Sequence, residues 1–496
     1  MAETLSALLS RLSKEEQRYI SITLKHSGRD SRYLRCYRLL KKGIPAGKIS
    51  EELGLPERDL SVLKSKLYRR LLDILADFSL SGNIFLQLMR MRERIEVLIS
   101  KGLFREAEKQ VEKLLTKASS HEFYLFEAEA LRLKRLLMAQ RNYSESKREE
   151  LLTMKEELQK KTGAFLLLSE LQIDSSLLFM QFYREGHLND ESETYQRFLQ
   201  SHGSDFESNS ARFVLHNTRG FLFGLSGEAE GSISEHKMAI DALMQLPAID
   251  NERWYNLVSA FNNICVALCN EGDFGRAKEY LEKLRQVPEK RKGLTYQESI
   301  FWWQHILALD FYLMMESAEF KNLDRLLDSL YRALKQYEFS QWYRAYFHYS
   351  AAYAALLAGR PDDALQWNLR LLQYPHNKIP KEIHRFALLL QGLIHFELRN
   401  YEVASVLLEN HRRKLRKMKN SYRLETLFTR FLLRAAKAKE CSALASACLS
   451  EVNVLLKEHG PERHVLDYVD IDIYLEALSS GMSFSAFYQK KKNKDA

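Results

Sequence analysis

Glycine and proline are scarce in this sequence, which has 20 glycines and 8 prolines in 496 residues. Leucine, alanine, glutamate, lysine and arginine dominate instead, and all five are good helix formers. A chain so poor in turn-forming residues is not expected to build hairpin-rich sheets or parallel-sheet crossovers. Because hydrophobic residues make up 46% of the chain, global disorder is excluded as well. The composition therefore predicts an all-α fold with a substantial core.

Cysteine is also rare, with five residues at positions 36, 265, 269, 441 and 448. An odd, small number argues against a disulfide framework and favours a reducing compartment. Cys265 and Cys269 are four residues apart and share a helix face, but no second pair has complementary ligand spacing. We therefore expect them to be buried small hydrophobes, with no metal bound.

Targeting and membrane signals are absent as well. The first residues carry charges on both sides of a very short apolar run, unlike a signal peptide. The longest apolar candidate, residues 164–182, is interrupted by Glu170, Gln172 and Asp174, so no membrane span is expected. The net charge of +9 permits an acidic partner, nucleic acid or a membrane surface but requires none of them. We expect a cytoplasmic protein.

Catalytic motifs are missing too. The sequence has no His-Glu-x-x-His, no Cys-x-x-Cys and no phosphate-binding Gly-Lys-Ser/Thr loop. Gly220, Gly224, Gly227 and Gly231 are spaced like a loop between helices, without a preceding strand. We expect no catalytic site and no cofactor; an enzyme with an unfamiliar site is the alternative.

What the chain does contain is a repeated helix corner, best seen in residues 270–286. Gly272 stands where a helix end favours a left-handed residue, bulky Phe274 opens the next helix, and small Ala277 follows one turn later. Similar corners recur 39 to 46 residues apart, with the bulky residue at positions 104, 143, 188, 233, 274, 320, 361 and 401. Such spacing predicts a series of antiparallel helix pairs.

Residues 83–458 thus resemble the tetratricopeptide repeat class. The resemblance is carried by the corners Gly102/Phe104/Ala107, Gly272/Phe274/Ala277 and Gly359/Pro361/Ala364. It implies a right-handed α-solenoid of about nine helical hairpins with a concave groove for peptides. The family period is 34 residues, so the longer period here predicts longer helices.

Four regions follow from this division. We predict a helical N-terminal module at 1–80, the solenoid at 81–460, a C-terminal capping helix at 461–488 that Pro461 opens, and a basic tail at 489–496.

Aromatic residues crowd two helices of the later repeats. Successive residues on a helix point about 100° apart, so some of these rings are expected to face a groove. Concave surfaces rich in Trp, Tyr and Arg are typical of peptide binding. The alternative is that the helices bury two faces against their neighbours. The groove candidates are Trp302, Trp303, Trp342, Arg344, Tyr346 and His348.

Residues 48–72 resemble a bacterial helix-turn-helix, with a short helix, a turn containing Gly54, and a longer helix. The resemblance implies that Arg58, Ser61, Lys64, Ser65 and Arg69 face DNA. The alternative is a helical cap on the first repeat. A second basic stretch, 411–423, is either a solvated face or a docking patch for an acidic partner or RNA.

Taken together, these features predict a non-enzymatic interaction scaffold that binds a peptide or helix of a partner protein in a concave groove. The alternative is a ligand-responsive transcriptional regulator that binds DNA through residues 45–72.

Overall fold

The coordinates are those of a computed structural model of the chain. It describes residues 2–26, 31–79, 83–140, 148–185, 193–200, 208–247, 251–290, 294–375, 379–418, 422–438, 441–458 and 460–495.

The described residues form 24 α-helices and no strands, so the predicted all-α class is confirmed. Twelve lie in the first half of the chain: α1 Ala2–Ser10, α2 Lys14–His26, α3 Ser31–Lys41, α4 Ala46–Leu53, α5 Glu57–Ser79, α6 Ile84–Ser100, α7 Phe104–Ser120, α8 Tyr124–Gln140, α9 Arg148–Glu185, α10 Glu193–Gln200, α11 Asn209–Ser226 and α12 Ala229–Met244. The others are α13 Asn251–Asn270, α14 Phe274–Gln286, α15 Tyr296–Glu316, α16 Leu323–Gln336, α17 Gln341–Leu357, α18 Pro361–Leu372, α19 Lys381–Glu397, α20 Tyr401–Lys417, α21 Arg423–Ala435, α22 Ser442–Glu458, α23 Ile471–Ser479 and α24 Phe484–Asp495.

The chain divides into two compact units. Unit 1 comprises Met1–Asn263 with Gln286–Ser299, and unit 2 comprises Ile264–Arg285 with Ile300–Ala496. Within each unit, helices pack chiefly on the next helix along the chain, as α6 to α9 do in unit 1 and α16 to α24 in unit 2. Neighbour-on-neighbour packing is compatible with a helical-repeat fold. The right-handed superhelix and the number of nine hairpins stay predictions.

In unit 1, helices α1 to α5 share a hydrophobic cluster whose centre includes Leu5, Ile20 and Leu67, all almost fully buried. A capping box begins α2. The Ser13 backbone N–H donates to Glu16 Oε2 at 2.7 Å, and the Glu16 N–H donates to Ser13 Oγ at 3.1 Å. The apolar side chains of α5 therefore pack against α1 to α4. The predicted domain boundaries at residues 80, 460 and 488 stay predictions.

The predicted corners have the left-handed conformation that the sequence indicates. Gly102, Gly272 and Gly359 have φ of +70°, +74° and +75°. At each, the next residue donates its N–H back to the carbonyl five positions earlier at 2.9 Å, which satisfies the end of the helix. The residues two positions further on begin α7, α14 and α18, as predicted: Phe104, Phe274 and Pro361. Ala107, Ala277 and Ala364 are buried.

Two of the predicted corners lack the glycine, as does the corner before α8, where Glu122 has φ of +56°. Ala318 and Arg399 adopt φ of +50° and +59°, although side chains disfavour this region. Each again stands two residues before a helical start, at Phe320 and Tyr401. The corner predicted at Gly231 and Ile233 is wrong, because left-handed Gly227, with φ of +82°, ends α11 and α12 begins at Ala229. The predicted corners at 143 and 188 lie outside the described residues.

These conformations predict opposite effects for one substitution at two sites. Gly102→Ala should lower the free energy of unfolding by about 1 kcal/mol, because a Cβ there meets nothing within 4 Å and only the backbone strain acts. Gly163→Ala, at an open position inside α9, should raise it by about 0.5–1 kcal/mol. Urea unfolding followed by circular dichroism measures both. Equal signs would contradict this account of the corners.

The C-terminal region differs from the single capping helix predicted from Pro461. A 3-10 segment, Gly460–Val465, precedes α23, and α24 continues to Asp495 through part of the predicted basic tail. Two tail lysines pair with acids of unit 2, Lys491 with Glu476 at 2.7 Å and Lys492 with Glu316 at 2.6 Å. These ion pairs and the burial of Phe484 and Tyr488 hold α24 in place.

A carboxyl group of this region should make stability depend on pH. The Tyr353 hydroxyl donates to the Asp470 carboxylate at 2.7 Å, and burial raises the Asp470 pKa from 3.8 to about 6. A raised pKa means that the stabilising contribution of this group is full below pH 3.8 and is lost as pH rises through about 6. Asp470→Asn should therefore raise the free energy of unfolding at pH 7.5 by about 1–2 kcal/mol and change little at pH 3.5. Thermal unfolding at both pH values checks this, and a gain of equal size at both would contradict it.

Helix α9 differs from the others in length and exposure. By length and composition, its segment Arg148–Gln181 is long and apolar enough to cross a membrane, and only 17% of the apolar window is buried in the structure. Several of its large hydrophobic side chains are exposed, among them Leu166, Ile173 and Leu177. That no segment spans a membrane stays a prediction.

Candidate functional site

An open pocket of about 390 Å³ lies in unit 2 where α16, α17 and α18 meet. Its volume lies at the lower end of the range for ligand pockets. Nine residues line it, most of them cationic or aromatic: Tyr331, Leu334, Lys335, Arg344, His348, Trp367, Arg370, Gln373 and Tyr374.

Helix α16 brings one wall of the pocket. Its leucine stripe, which includes Leu326 and Leu330, is buried and turns the opposite face outward. Tyr331 and Lys335, four residues apart, occupy that outward face. The Lys335 ammonium lies 4.2 Å from the centre of the Tyr331 ring, and it lowers the pKa of the Tyr331 hydroxyl. The wall therefore presents a cation held by an aromatic face.

Helix α17 brings Arg344 and His348, again four residues apart. His348 is only 5% exposed, and its Nε2 lies 3.3 Å from the Tyr374 hydroxyl, while its Nδ1 has no hydrogen-bond partner. Burial, with the charges of Arg370 and Arg344, lowers the His348 pKa to about 4. The imidazole is therefore neutral at neutral pH. The Arg344 Nη2 donates to the Leu334 carbonyl at 3.5 Å, and its Nε has no partner.

Helix α18 supplies the floor. Trp367 is almost fully buried, packs beside the His348 ring at 5.5 Å between centroids, and carries the Arg370 guanidinium 4.6 Å above its ring. Stacking on an aromatic face orients a guanidinium while leaving its N–H groups free to bind.

Charge distinguishes this pocket from a second one of about 480 Å³ in the same unit. Among the nine lining residues of the first pocket none is acidic, whereas three are cationic. In the second pocket, Arg285 pairs with Asp310 at 2.5 Å and with Glu282 at 3.6 Å. The second pocket is thus a compensated charge cluster, and the first is not.

The predicted groove residues separate into three places. Arg344 and His348 meet in the first pocket, and Trp303 lines the second. Trp302 donates its indole N–H to the Leu284 carbonyl at 3.1 Å and packs edge-on against Trp303. The helical spacing puts Trp342 and Tyr346 on the side of α17 away from Arg344 and His348, where the two rings stack with centroids 5.3 Å apart. Trp342 is half exposed. That these residues bind a peptide stays a prediction.

The predicted DNA-facing residues lie on α5 of unit 1. Arg58, Ser61, Ser65 and Arg69 follow steps of three and four and share one face, on which Ser65 Oγ donates to the Ser61 carbonyl at 3.0 Å. Lys64 lies off that face, close enough to the buried Cys36 thiol for its charge to oppose the rise that burial causes in the Cys36 pKa. The shared face also exposes two apolar side chains, Val62 and Leu72.

The cysteines behave as small hydrophobes. Cys265 and Cys269 are buried, as predicted, and burial raises the pKa of the Cys269 thiol to about 12. In the part of the chain that the structure describes, no group of three or more His, Cys, Asp or Glu side chains is placed to hold a metal ion.

The basic stretch 411–423 is exposed only in part. His411 is buried, with its Nε2 3.0 Å from Glu425 Oε1, while Arg412 pairs with Glu409 at 2.8 Å.

Seven of the nine pocket residues were not identified from the sequence: Tyr331, Leu334, Lys335, Trp367, Arg370, Gln373 and Tyr374. The signal that could have found two of them is local, because Trp367 and Arg370 are one helical turn apart on a helix that follows a clear corner. The chain matches no protein-family model and no curated protein, so the pocket's own geometry carries the functional argument.

Proposed function

We propose that the protein is a non-enzymatic interaction scaffold whose unit 2 binds a peptide segment of a partner protein at the pocket of α16, α17 and α18. The observation that supports this most directly is the set of three cations, uncompensated by any acidic lining residue, around an aromatic floor. Aromatic and arginine side chains dominate the binding energy of protein interfaces. The protein is further proposed to be cytoplasmic, as its free cysteines suggest.

The test is binding of the full-length protein to an array of unbiased synthetic peptides. We expect a subset to bind, and Arg344→Glu with Arg370→Glu to weaken these about 100-fold, since two charge-assisted contacts become repulsive. Arg325→Glu is the matched control, because Arg325 lines the second pocket. If the wild type binds no peptide, or if the double variant binds as the wild type does, the proposal is wrong.

A second candidate is a transcriptional regulator that binds DNA through α5. The observation that favours it is the exposed face shared by Arg58 and Arg69, on a helix that follows short α4 after a left-handed Gly54. A mobility shift with random duplex DNA at low salt is expected to weaken for Arg58→Glu with Arg69→Glu, and to persist for off-face Lys64→Glu. Absence of a shift, or a shift that only Lys64→Glu removes, would eliminate this candidate.

A further inference from the structure

The three cations of the pocket define the chemistry of the missing partner. Lys335, Arg344 and Arg370 come from three different helices, and no carboxylate lines the space between them. Like charges held close together without a counter-charge repel one another. An anionic group entering the pocket relieves this repulsion and gains charge-assisted hydrogen bonds.

The donors are already oriented. The Arg370 guanidinium rests on Trp367, and the Lys335 ammonium rests on Tyr331, so little rotational freedom is lost on binding. The Arg344 Nε is buried and unpartnered, so one N–H of this fork is available. An arginine fork matches the planar spacing of carboxylate and phosphate oxygens.

His348 adds a neutral donor. Its side chain is 5% exposed, lines the pocket and leaves Nδ1 without a partner. When the Tyr374 hydroxyl donates to Nε2, the ring hydrogen resides on Nδ1 and needs an acceptor. A buried donor left unpaired costs about 1–3 kcal/mol, which an anionic oxygen would recover.

The aromatic lining sets the second requirement. Trp367 is almost fully buried and covered by Arg370, but Tyr331 is 46% exposed and Tyr374 is partly exposed, so a ligand that carries only charge would leave part of these two rings in water. A planar or apolar side chain next to the anion would cover them and add stacking.

We infer that the anchor of the bound peptide is an anionic side chain, a carboxylate or a phosphate, with an aromatic or large apolar residue beside it. This inference rests on the proposed function, since it names the class of peptide that the same pocket takes. The two anions share the chemistry that Arg344, Arg370, Lys335 and His348 recognise, and they differ in charge.

Fluorescence anisotropy of the full-length protein with four labelled, amidated peptides tests the inference. The peptides are Ala-Ser-Trp-Z-Ser-Ala, where Z is glutamate, phosphoserine, glutamine or lysine. We expect the glutamate or the phosphoserine peptide to bind about tenfold or more tightly than the glutamine peptide, and the lysine peptide to bind least. The peptide that binds more tightly shows whether the natural anchor is a carboxylate or a phosphorylated side chain.

Variants locate the effect. Arg344→Gln with Arg370→Gln should abolish the preference for the anion, and Arg325→Gln, in the second pocket, should keep it. Circular dichroism melting confirms that each variant folds. If the glutamine peptide binds as tightly as the anionic peptides, or if both double and control variants keep the preference, the anion inference is wrong.

Failure of the anchor inference can be distinguished from failure of the scaffold proposal. If none of the four peptides binds but the unbiased array yields peptides that depend on Arg344 and Arg370, the anchor inference fails and the scaffold proposal stands. If the array yields none, the scaffold proposal fails as well.

Discussion

Replacing Glu425 by glutamine should lower the free energy of unfolding by about 3 kcal/mol, because buried Arg385 then keeps only the half-exposed Glu382, 3.7 Å away, as a counter-charge. Glu425 is fully buried at the junction of α19, α20 and α21, and each helix contributes one member of its cluster. His411 Nε2 lies 3.0 Å from one carboxylate oxygen, and Arg385 Nε lies 3.3 Å from the other. Arg385 is itself almost fully buried between the rings of Phe386 and Tyr422.

A surface pair provides the matched control. Glu409 pairs with Arg412 at 2.8 Å on α20, and both side chains are 30% exposed. Glu409→Gln should cost much less than Glu425→Gln, because solvent screens an exposed pair. Adding Arg385→Gln to Glu425→Gln should recover part of the stability, because no unpaired charge then stays buried. Equal losses for Glu425→Gln and Glu409→Gln in chemical denaturation would contradict this assignment.

The helix corners show how far the sequence predicts the fold. Gly102, Gly272 and Gly359 could be placed because only glycine enters the left-handed region freely, and a bulky helix start follows each. Arg399 adopts the same conformation without a glycine, so the corner was predicted from position 401 but its left-handed residue was not. Glycine therefore marks the residue that turns an unstrained corner, whereas a corner with a strained backbone can be located without its left-handed residue being identified.

The pocket was predictable only in part for a related reason. Arg344 and His348 could be grouped because they are four residues apart on one helix. Trp342 and Tyr346 have the same spacing but lie on the other side, and the sequence does not say which side meets α18. Lys335 joins the pocket from α16 through the packing of neighbouring helices, which spacing along the chain does not report.

The buried charge clusters could not be predicted from the sequence. Glu235 holds His216 at 2.6 Å and Arg219 at 3.1 Å in unit 1, much as Glu425 holds His411 and Arg385 in unit 2. A histidine, a carboxylate and an arginine spread over several turns or helices look like ordinary surface residues in a sequence. They form a site only when helix packing removes them from water.

Helix packing also makes Gly392 a sensitive position. It is buried in α19 against α20, and a Cβ there would lie 2.6 Å from Leu408 Cδ2 and 2.7 Å from Leu408 Cγ. Because Leu408 is fully buried, it has little room to move aside. Gly392→Val should lower the free energy of unfolding by about 3 kcal/mol, as overpacking of a close helix contact does.

A control substitution at Gly163 separates the effect of steric clash from that of helix propensity. Gly163→Val adds the same atoms to α9, where a Cβ meets nothing within 4 Å, and should change stability by less than about 0.5 kcal/mol. Leu408→Ala makes room beside position 392, so the double variant Gly392→Val with Leu408→Ala should be at least about 1 kcal/mol more stable than the sum of the single effects. Thermal and urea unfolding of the four proteins measures the coupling. Strict additivity would mean that the Gly392 side of α19 does not approach Leu408 closely, and the contact that joins these two helices would have to lie elsewhere.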